Sequence, residues 1–200
     1  MTRRDEPDDE AFVLRSPGDG DLAWVVDAHA AIYGVEYGWG DWFQAIVEDV
    51  VSDFREHFDP AKDRGWIAVR KGERGGAVLL VHHPHRHGVA RLRVLLVDPR
   101  ARGWGIGGAL VRACTTFARS AGYHTITLWT NEALAGARAL YRREGYRLLR
   151  SEVHPPFPAD QPTEVWELSL HPGVRPESPP GAPPGPSTGT PGGGSPPPRP

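Results

Sequence analysis

Cysteine is almost missing from this 200-residue chain, and Cys114 is the only one. A single cysteine excludes an intrachain disulfide framework and any zinc site built from several thiolates. Long apolar runs are missing too: no window approaches the roughly 18 consecutive apolar residues of a membrane-crossing helix, and the charged start has no apolar signal region behind it. Nor does one sign of charge dominate, since 23 Lys and Arg face 25 Asp and Glu. Setting aside Arg3 and Arg4 with Asp5, Glu6, Asp8, Asp9 and Glu10 at one end, and Arg175 and Arg199 with Glu177 at the other, leaves 19 residues of each sign in Ala11 to His171. A bulk basic surface for nucleic acid is therefore absent. No period of about 20 to 50 residues recurs, which excludes a solenoid. The expectation is a cytoplasmic protein that binds neither nucleic acid nor membrane.

Proline and glycine are what the chain has in excess, and they are unevenly placed. Of 21 prolines and 24 glycines, 12 prolines and 7 glycines fall in Pro172 to Pro200, where Val174 and Ala182 are the only apolar residues. Such a segment cannot bury enough surface to offset the entropy of ordering itself. The expected organisation is an acidic disordered arm over 1–10, one domain over 11–171, and a disordered Pro/Gly-rich tail over 172–200.

Within the domain, apolar spacing predicts an order of elements. Phe12 and Leu14 alternate as a short strand. Leu22, Val25, Val26, His29 and Ile32 recur at helical spacing as far as Tyr33-Gly34, and the glycines of Gly34 to Gly40 read as an aromatic loop. Phe43, Ile46, Val47, Val50, Val51, Phe54 and Phe58 form the face of a second helix. Strands follow at Trp66–Val69, Ala77–Val81 and Ala90–Val97, with a hairpin loop at Lys71–Gly76. A helix from about Ile106 to Ser120, a strand at Thr125–Trp129, a helix over Leu134–Arg143 and strands at Tyr146–Leu149 and Val165–Leu168 complete the order. The expected class is α/β (α+β): a mixed, mostly antiparallel sheet of about seven strands with helices on both faces.

Chemistry concentrates at Arg102-Gly103-Trp104-Gly105-Ile106-Gly107-Gly108, between a strand and an amphipathic helix. Glycines admit close backbone approach, free N–H groups at a helix start favour a phosphate, and the fork of Arg102 suits a pyrophosphate. A plain glycine-rich turn is the bland alternative. Gly103, Gly105 and Gly108 also satisfy Gly-x-Gly-x-x-Gly, but Asp98 to Arg102 separates them from the strand, and the preceding strands read as an antiparallel meander instead of a parallel unit. The Gly-Lys-Ser/Thr of a nucleotide-triphosphate loop is absent.

Arg102-x-x-Gly105-x-Gly107 resembles the Arg/Gln-x-x-Gly-x-Gly/Ala signature of the GNAT N-acetyltransferase family, and Leu140-Tyr141-Arg142-Arg143-Glu144-Gly145-Tyr146 resembles its second landmark. The element order is similar along Ala11 to His171. Tyr37-Gly38-Trp39, Phe58-Asp59-Pro60-Ala61 and Leu128-Trp129-Thr130-Asn131 are also similar to the acetyltransferase half of fusions with a MarR-type DNA-binding domain; with the first strand near Ala11 the expectation is a stand-alone catalytic half, and DNA binding is not carried over. The resemblance implies an enzyme, an acyltransferase that moves an acetyl group from acetyl-CoA to a primary amine by direct attack in a ternary complex. It places the pantetheine arm against the backbone of Leu95, Leu96 and Val97, with a backbone N–H near Leu96 or Val97 at the oxyanion. The pyrophosphate falls on Arg102, Gly103, Trp104, Gly105, Ile106, Gly107 and Gly108, and Tyr141 is the general acid to the departing thiolate. A non-catalytic acyl-CoA-binding module and a nicotinamide oxidoreductase are the competing classes.

The remaining candidates carry a mundane alternative each. Many relatives place an asparagine seven residues before the tyrosine, where Leu134 stands here; Asn131 is a cofactor-contact candidate that also suits a helix cap. Relatives with a glutamate base on the central strand have it where this chain has Leu92 and Arg93, so Glu36 is the base candidate and Glu167 a weaker one. Tyr33, Tyr37, Trp39 and Trp42 offer an aromatic wall for a cationic or aromatic amine, with Tyr37 and Trp39 named as substrate-binding, unless they only pack the helices together. His82, His83, His85 and His87 read as a solvated turn and not a metal site, and Cys114 as a small buried residue. No metal is expected, and a homodimer is left open.

Overall fold

The computed structural model describes residues 11–153, 157–158 and 160–171. The arm over 1–10 and the tail over 172–200 lie outside the described residues. The elements are β1 (Val13–Arg15), α1 (Asp21–Tyr37), α2 (Asp41–Glu56), β2 (Arg64–Arg70), β3 (Glu73–His82), β4 (Val89–Val97), a 3-10 turn (Pro99–Ala101), α3 (Ile106–Ser120), β5 (Thr125–Asn131), α4 (Ala135–Arg143), β6 (Arg147–Glu152) and β7 (Thr163–Ser169).

Strand alternation explains why helices cover both faces of the sheet. Successive side chains of a strand point to opposite faces. Ile67, Ala77 and Leu79 pack with Val25 of α1 and Val47, Val51 and Phe54 of α2. Their neighbours Ala68, Val78 and Leu80 pack with Leu92, with Leu110, Val111 and Cys114 of α3, and with Tyr141 of α4. Both faces of β2 and β3 are apolar because both are covered. The seven strands run in the order β1-β2-β3-β4-β5-β7-β6. Every neighbouring pair is antiparallel except β4 and β5, which are parallel. The expected mixed, mostly antiparallel sheet of seven strands is what forms.

Two local expectations need correcting. Gly34 does not start a loop: α1 runs on to Tyr37 and stops at Gly38, whose φ of 68° suits glycine. The Gly38 and Trp39 N–H groups donate to the Gly34 and Tyr33 carbonyls, so the helix end is satisfied three residues later than glycine content suggests. The loop read over Lys71–Gly76 is a two-residue turn, Lys71-Gly72, both at positive φ, and β3 starts at Glu73. That geometry matches the twist of the flanking strands, and the glycines Gly75 and Gly76 belong to the strand. At Gly76 an added Cβ would sit 2.8 Å from both the Ile106 side chain and the Leu96 carbonyl oxygen, so glycine lets α3 and β4 approach β3.

Asp21 ties the start of α1 to the sheet. Its carboxylate, 1% exposed, accepts from both ends of the Arg15 guanidinium, from the Gly18 N–H at 2.7 Å and from the Arg74 Nε–H at 2.7 Å. The Arg15 hydrogen bonds hold its pKa far below the carboxylate range, against the opposing effect of burial. Because the folded value is the lower one, this stabilisation is complete above the unfolded value near pH 4 and is lost as pH falls through the folded one. Asp21→Asn leaves two guanidiniums without a counter-charge, and we expect a loss of about 3 kcal/mol at pH 7, or roughly 6–12 °C in melting temperature. Calorimetric melting at pH 7 checks it.

Candidate active site

The parallel pair opens into a wedge. Pairing between β4 and β5 runs only from Val89–Thr125 to Leu92–Leu128. Beyond it, β4 continues against β3 as far as Val97, and β5 continues against β7 as far as Asn131. The edges that face each other across the gap therefore carry backbone groups without a strand partner, a donor and acceptor row for an extended ligand. Leu95, Leu96 and Val97 lie on this free edge.

A bulge marks the point of divergence. The β3–β4 register jumps from Ala77–Leu96 to Leu79–Arg93, so Val78 faces both Val94 and Leu95. Val94 sits at φ 46°, an outlier for a β-branched residue and a cost of about 1–3 kcal/mol. Packing on both sides holds it there, Val94 against the α1/α2 core and Leu95 against the α3/α4 core.

The glycine loop lies at the far end of β4. Asp98 accepts the Arg100 N–H at 2.9 Å and starts the 3-10 turn that carries the chain over to Arg102. Gly105, at φ 78°, is the N-cap of α3, and no side chain caps that end. The first intrahelical bond is Ala109 N–H to the Gly105 carbonyl at 3.0 Å, so the N–H groups of Ile106, Gly107 and Gly108 are left over by helix geometry. No acidic residue of α3 itself occupies the first turn; a carboxylate from outside the helix, Glu144, has its Oε1 beside Gly108, where it accepts from Arg112 at 2.9 Å. The Ile106 side chain is buried in the core, while Trp104 is exposed and stacked under the Arg70 guanidinium at 4.2 Å.

Arg102 and Glu36 meet across 66 residues of chain: Arg102 Nη2 donates to Glu36 Oε1 at 2.7 Å. Glu36, the base candidate, is thus engaged by Arg102. It is absent from the cavity lining and stands at the glycine loop, because the extra turn of α1 that the glycine pattern concealed carries it there. Glu167 is not in the cavity either; it is buried in an ion pair with Arg86.

Inside the wedge is a cavity of about 350 Å³ that reaches both faces of the sheet. Tyr141 and Ala137 of α4, with Leu134 just before it, line one side; His29, Tyr33, Trp39 and Phe43 line the other, with Arg91 and Arg93 from β4. Tyr141 is 4% exposed, and its ring packs 5.7 Å from that of Tyr146. Burial raises its pKa well above the usual phenol value. No hydrogen bond of its hydroxyl to another group is found among the described residues. Trp39 lines the cavity, held by Trp39 Nε1–H donating to Gln161 Oε1 at 3.2 Å, but Tyr37 stands behind it with ring centroids 5.3 Å apart. Asn131 also lines the cavity, yet its amide is committed to the fold. Its Oδ1 accepts the Ala133 N–H at 2.9 Å and its Nδ2 donates to the Gln161 carbonyl at 2.8 Å.

Local sequence pattern hid His29, which reads as one more position on an apolar helical face. It is 2% exposed, stacks on Tyr33 with centroids 5.5 Å apart, and donates Nδ1–H to the Val25 carbonyl at 2.7 Å. Desolvation pulls its pKa down to about 4, so Nε2 carries a lone pair at neutral pH. The unfolded chain takes up this proton near pH 6.5 and the folded one only near 4, so stability falls as pH drops through that window. The expected contribution is a loss of about 2 kcal/mol at pH 5 relative to pH 7.5. Denaturant unfolding of wild type and His29→Phe at the two pH values checks it: the substitution is expected to remove that part of the dependence.

No cluster of three or more His, Cys, Asp or Glu in position to hold a metal is found among the described residues. Of the histidine turn, His82 contacts Asp63 through Nδ1 at 3.1 Å, and His83 is pushed down to about 4 by burial and by Arg91. Cys114 is fully buried in the α3 core, which pushes its thiol up. No helix among the described residues is long and apolar enough to cross a membrane.

The model of the acetyltransferase (GNAT) family matches residues 30–146, which takes in the wedge, the glycine loop and α4. The chain belongs to the GNAT family. It is thus an acyltransferase of the acetyl-CoA-dependent kind. An N-acetyltransferase of Schizosaccharomyces pombe is 27% identical over 128 residues, 63% of this chain and 77% of that protein. A mycothiol acetyltransferase of Pseudarthrobacter chlorophenolicus is 32% identical over 140 residues, 65% of this chain but only 40% of that protein. Among solved structures, yncA of Salmonella typhimurium with its cofactor acetyl-CoA has the same fold, with a TM-score of 0.67 at 15% identity over 84% of this chain and 99% of that one.

Proposed function

We propose that the chain transfers the acetyl group of acetyl-CoA to the nitrogen of an amine acceptor, small molecule or peptide, in one direct step. The observation that carries this reading is the coincidence of three features at one wedge. They are a free backbone edge over Arg93–Val97, a helix start with three unpaired N–H groups behind Arg102, and a buried phenol, Tyr141, on the opposite wall. Each suits one part of acetyl-CoA: the pantetheine amides, the pyrophosphate and the sulfur. The relative named mycothiol acetyltransferase is, by that name, an acetyltransferase as well.

Acetyl-CoA supplies the activated thioester, and this chain's residues direct its use. The bulge at Val94 and Leu95 aims backbone N–H groups near Leu96 and Val97 at the thioester oxygen, where fixed donors stabilise developing negative charge. The amine nitrogen bonds to the carbonyl carbon as the carbon–sulfur bond breaks. Tyr141 donates its proton to the departing sulfur, and the amine proton leaves to water. A phenol held far above its usual pKa stays protonated at neutral pH and is available to donate. Glu36 occupies Arg102 until the pyrophosphate replaces it, an exchange of one half-exposed ion pair for a stronger charge-assisted one.

Release of free thiol from acetyl-CoA, measured across amino acids, polyamines, aminoglycosides and peptides, tests the reading. We expect thiol and N-acetylated product to appear in equal amounts with at least one class. Cofactor binding without thiol release for every class would leave a binding module in place of an enzyme.

A further inference from the structure

The cavity holds two positive charges for which the described residues supply no contact partner. Arg91 and Arg93 alternate with Ala90 and Leu92 on β4, so both side chains leave the sheet on the α1/α2 face, and both line the cavity. Neither forms an ion pair or a hydrogen bond among the described residues. The carboxylate that attracts both from a distance is Asp53 of α2, whose side chain is exposed and contacts His57 Nδ1 at 3.1 Å. Glu167, on β7 beyond β5, is paired with Arg86. Burial and the proximity of Arg91 push the half-buried Arg93 down to about 10, against the opposing pull of Asp53.

A partly buried, unpaired cation pair is costly for a fold. The surroundings offer neither of the usual compensations, since Phe43, Ile46, Val47 and Val50 form the facing wall. Arg93 directly precedes the Val94–Leu95 bulge, at the start of the free edge where the reading above puts the thioester, and its side chain lines the same cavity. We propose that the acceptor is an amine that carries a carboxylate close to its reacting nitrogen, as an α-amino acid does, and that Arg93, with Arg91 beside it, holds that carboxylate. The aromatic wall of Tyr33, Trp39 and Phe43 then faces the acceptor's remaining substituent. This replaces the cationic acceptor that the aromatic residues alone suggested, because two guanidiniums in the same cavity repel it. The proposal rests on the acetyl-transfer reading for the position of the amine, but not for the carboxylate site itself.

Matched pairs test it: L-phenylalanine, L-methionine, L-alanine and L-aspartate, each against its α-amide, in thiol release with wild type, Arg93→Gln and Arg93→Lys. Calorimetric titration of the four acids into the CoA-loaded proteins runs alongside. For the best pair we expect the acid to exceed the amide about 10- to 100-fold in kcat/KM, the range of a charge-assisted contact. Arg93→Gln is expected to bring the pair within about threefold by raising KM for the acid, with far less effect on the amide; Arg93→Lys should fall between. Amides used as well as acids would overturn the proposal and leave acetyl transfer standing. An acid preference that survives Arg93→Gln would overturn it too. Acids that bind in an Arg93-dependent way without thiol release would keep the carboxylate site and overturn acetyl transfer. Neither binding nor release with any of the four would overturn the proposal.

Discussion

Replacing Tyr141 by phenylalanine is expected to lower kcat by about 100-fold or more while acetyl-CoA affinity stays within about twofold. The side chain lines the cavity and is buried, and the phenyl ring preserves its packing against Tyr146 and Trp166. What phenylalanine removes is one proton donor. A thiolate leaves reluctantly at neutral pH, and proton transfer in the transition state is worth about 10²–10⁴ in rate. A loss confined to kcat separates this role from packing, which would lower melting temperature and affinity together. Steady-state kinetics with saturating acetyl-CoA, beside a melting curve for the variant, checks the expectation. Unchanged kcat would remove the acid role from Tyr141.

Arg102→Glu is expected to abolish most of the stabilisation that acetyl-CoA confers. At about 100 times its dissociation constant a ligand adds roughly 2.7 kcal/mol, which for a domain of this size raises the melting temperature by roughly 5–10 °C. The substitution removes a charge-assisted contact and places a carboxylate beside Glu36 and the pyrophosphate site, two repulsions in place of one attraction. A loss of at least about 100-fold in affinity follows. Because Arg102 is half-exposed and pairs only with Glu36 among the described residues, the ligand-free variant should melt within a few degrees of wild type. An undiminished thermal shift would mean that the pyrophosphate is held elsewhere.

The features that were legible in sequence are those with a local pattern. Arg102 to Gly108 reads as a ligand loop because spacing and helix start are neighbours in the chain, and the alternation of Ala90 to Val97 announces a central strand. Both faces of that strand could be assigned only after α1/α2 and α3/α4 were placed on opposite sides. Features made by distant residues were hidden. Glu36 looked free to act as a base because its partner, Arg102, lies 66 residues away. Asn131 looked available to the cofactor because its partner Gln161 lies across an intervening helix and strand. The wedge itself is a place where pairing stops, and no local signal reports the end of a β4–β5 ladder. Arg91 and Arg93 did leave a trace: two arginines at alternate positions of a strand buried on both faces demand a partner, and their significance emerged with the cavity they line.

In the proposed complex acetyl-CoA lies in the wedge between β4 and β5, against the free edge of β4 and the start of α3. Backbone hydrogen exchange with and without acetyl-CoA tests it most directly, since the proposed contacts are themselves N–H groups. The account predicts new protection confined to two segments, Arg93–Val97 and Gly103–Gly108, with β1 and β2 unchanged. Protection elsewhere, or none in either segment at saturating acetyl-CoA, would contradict it.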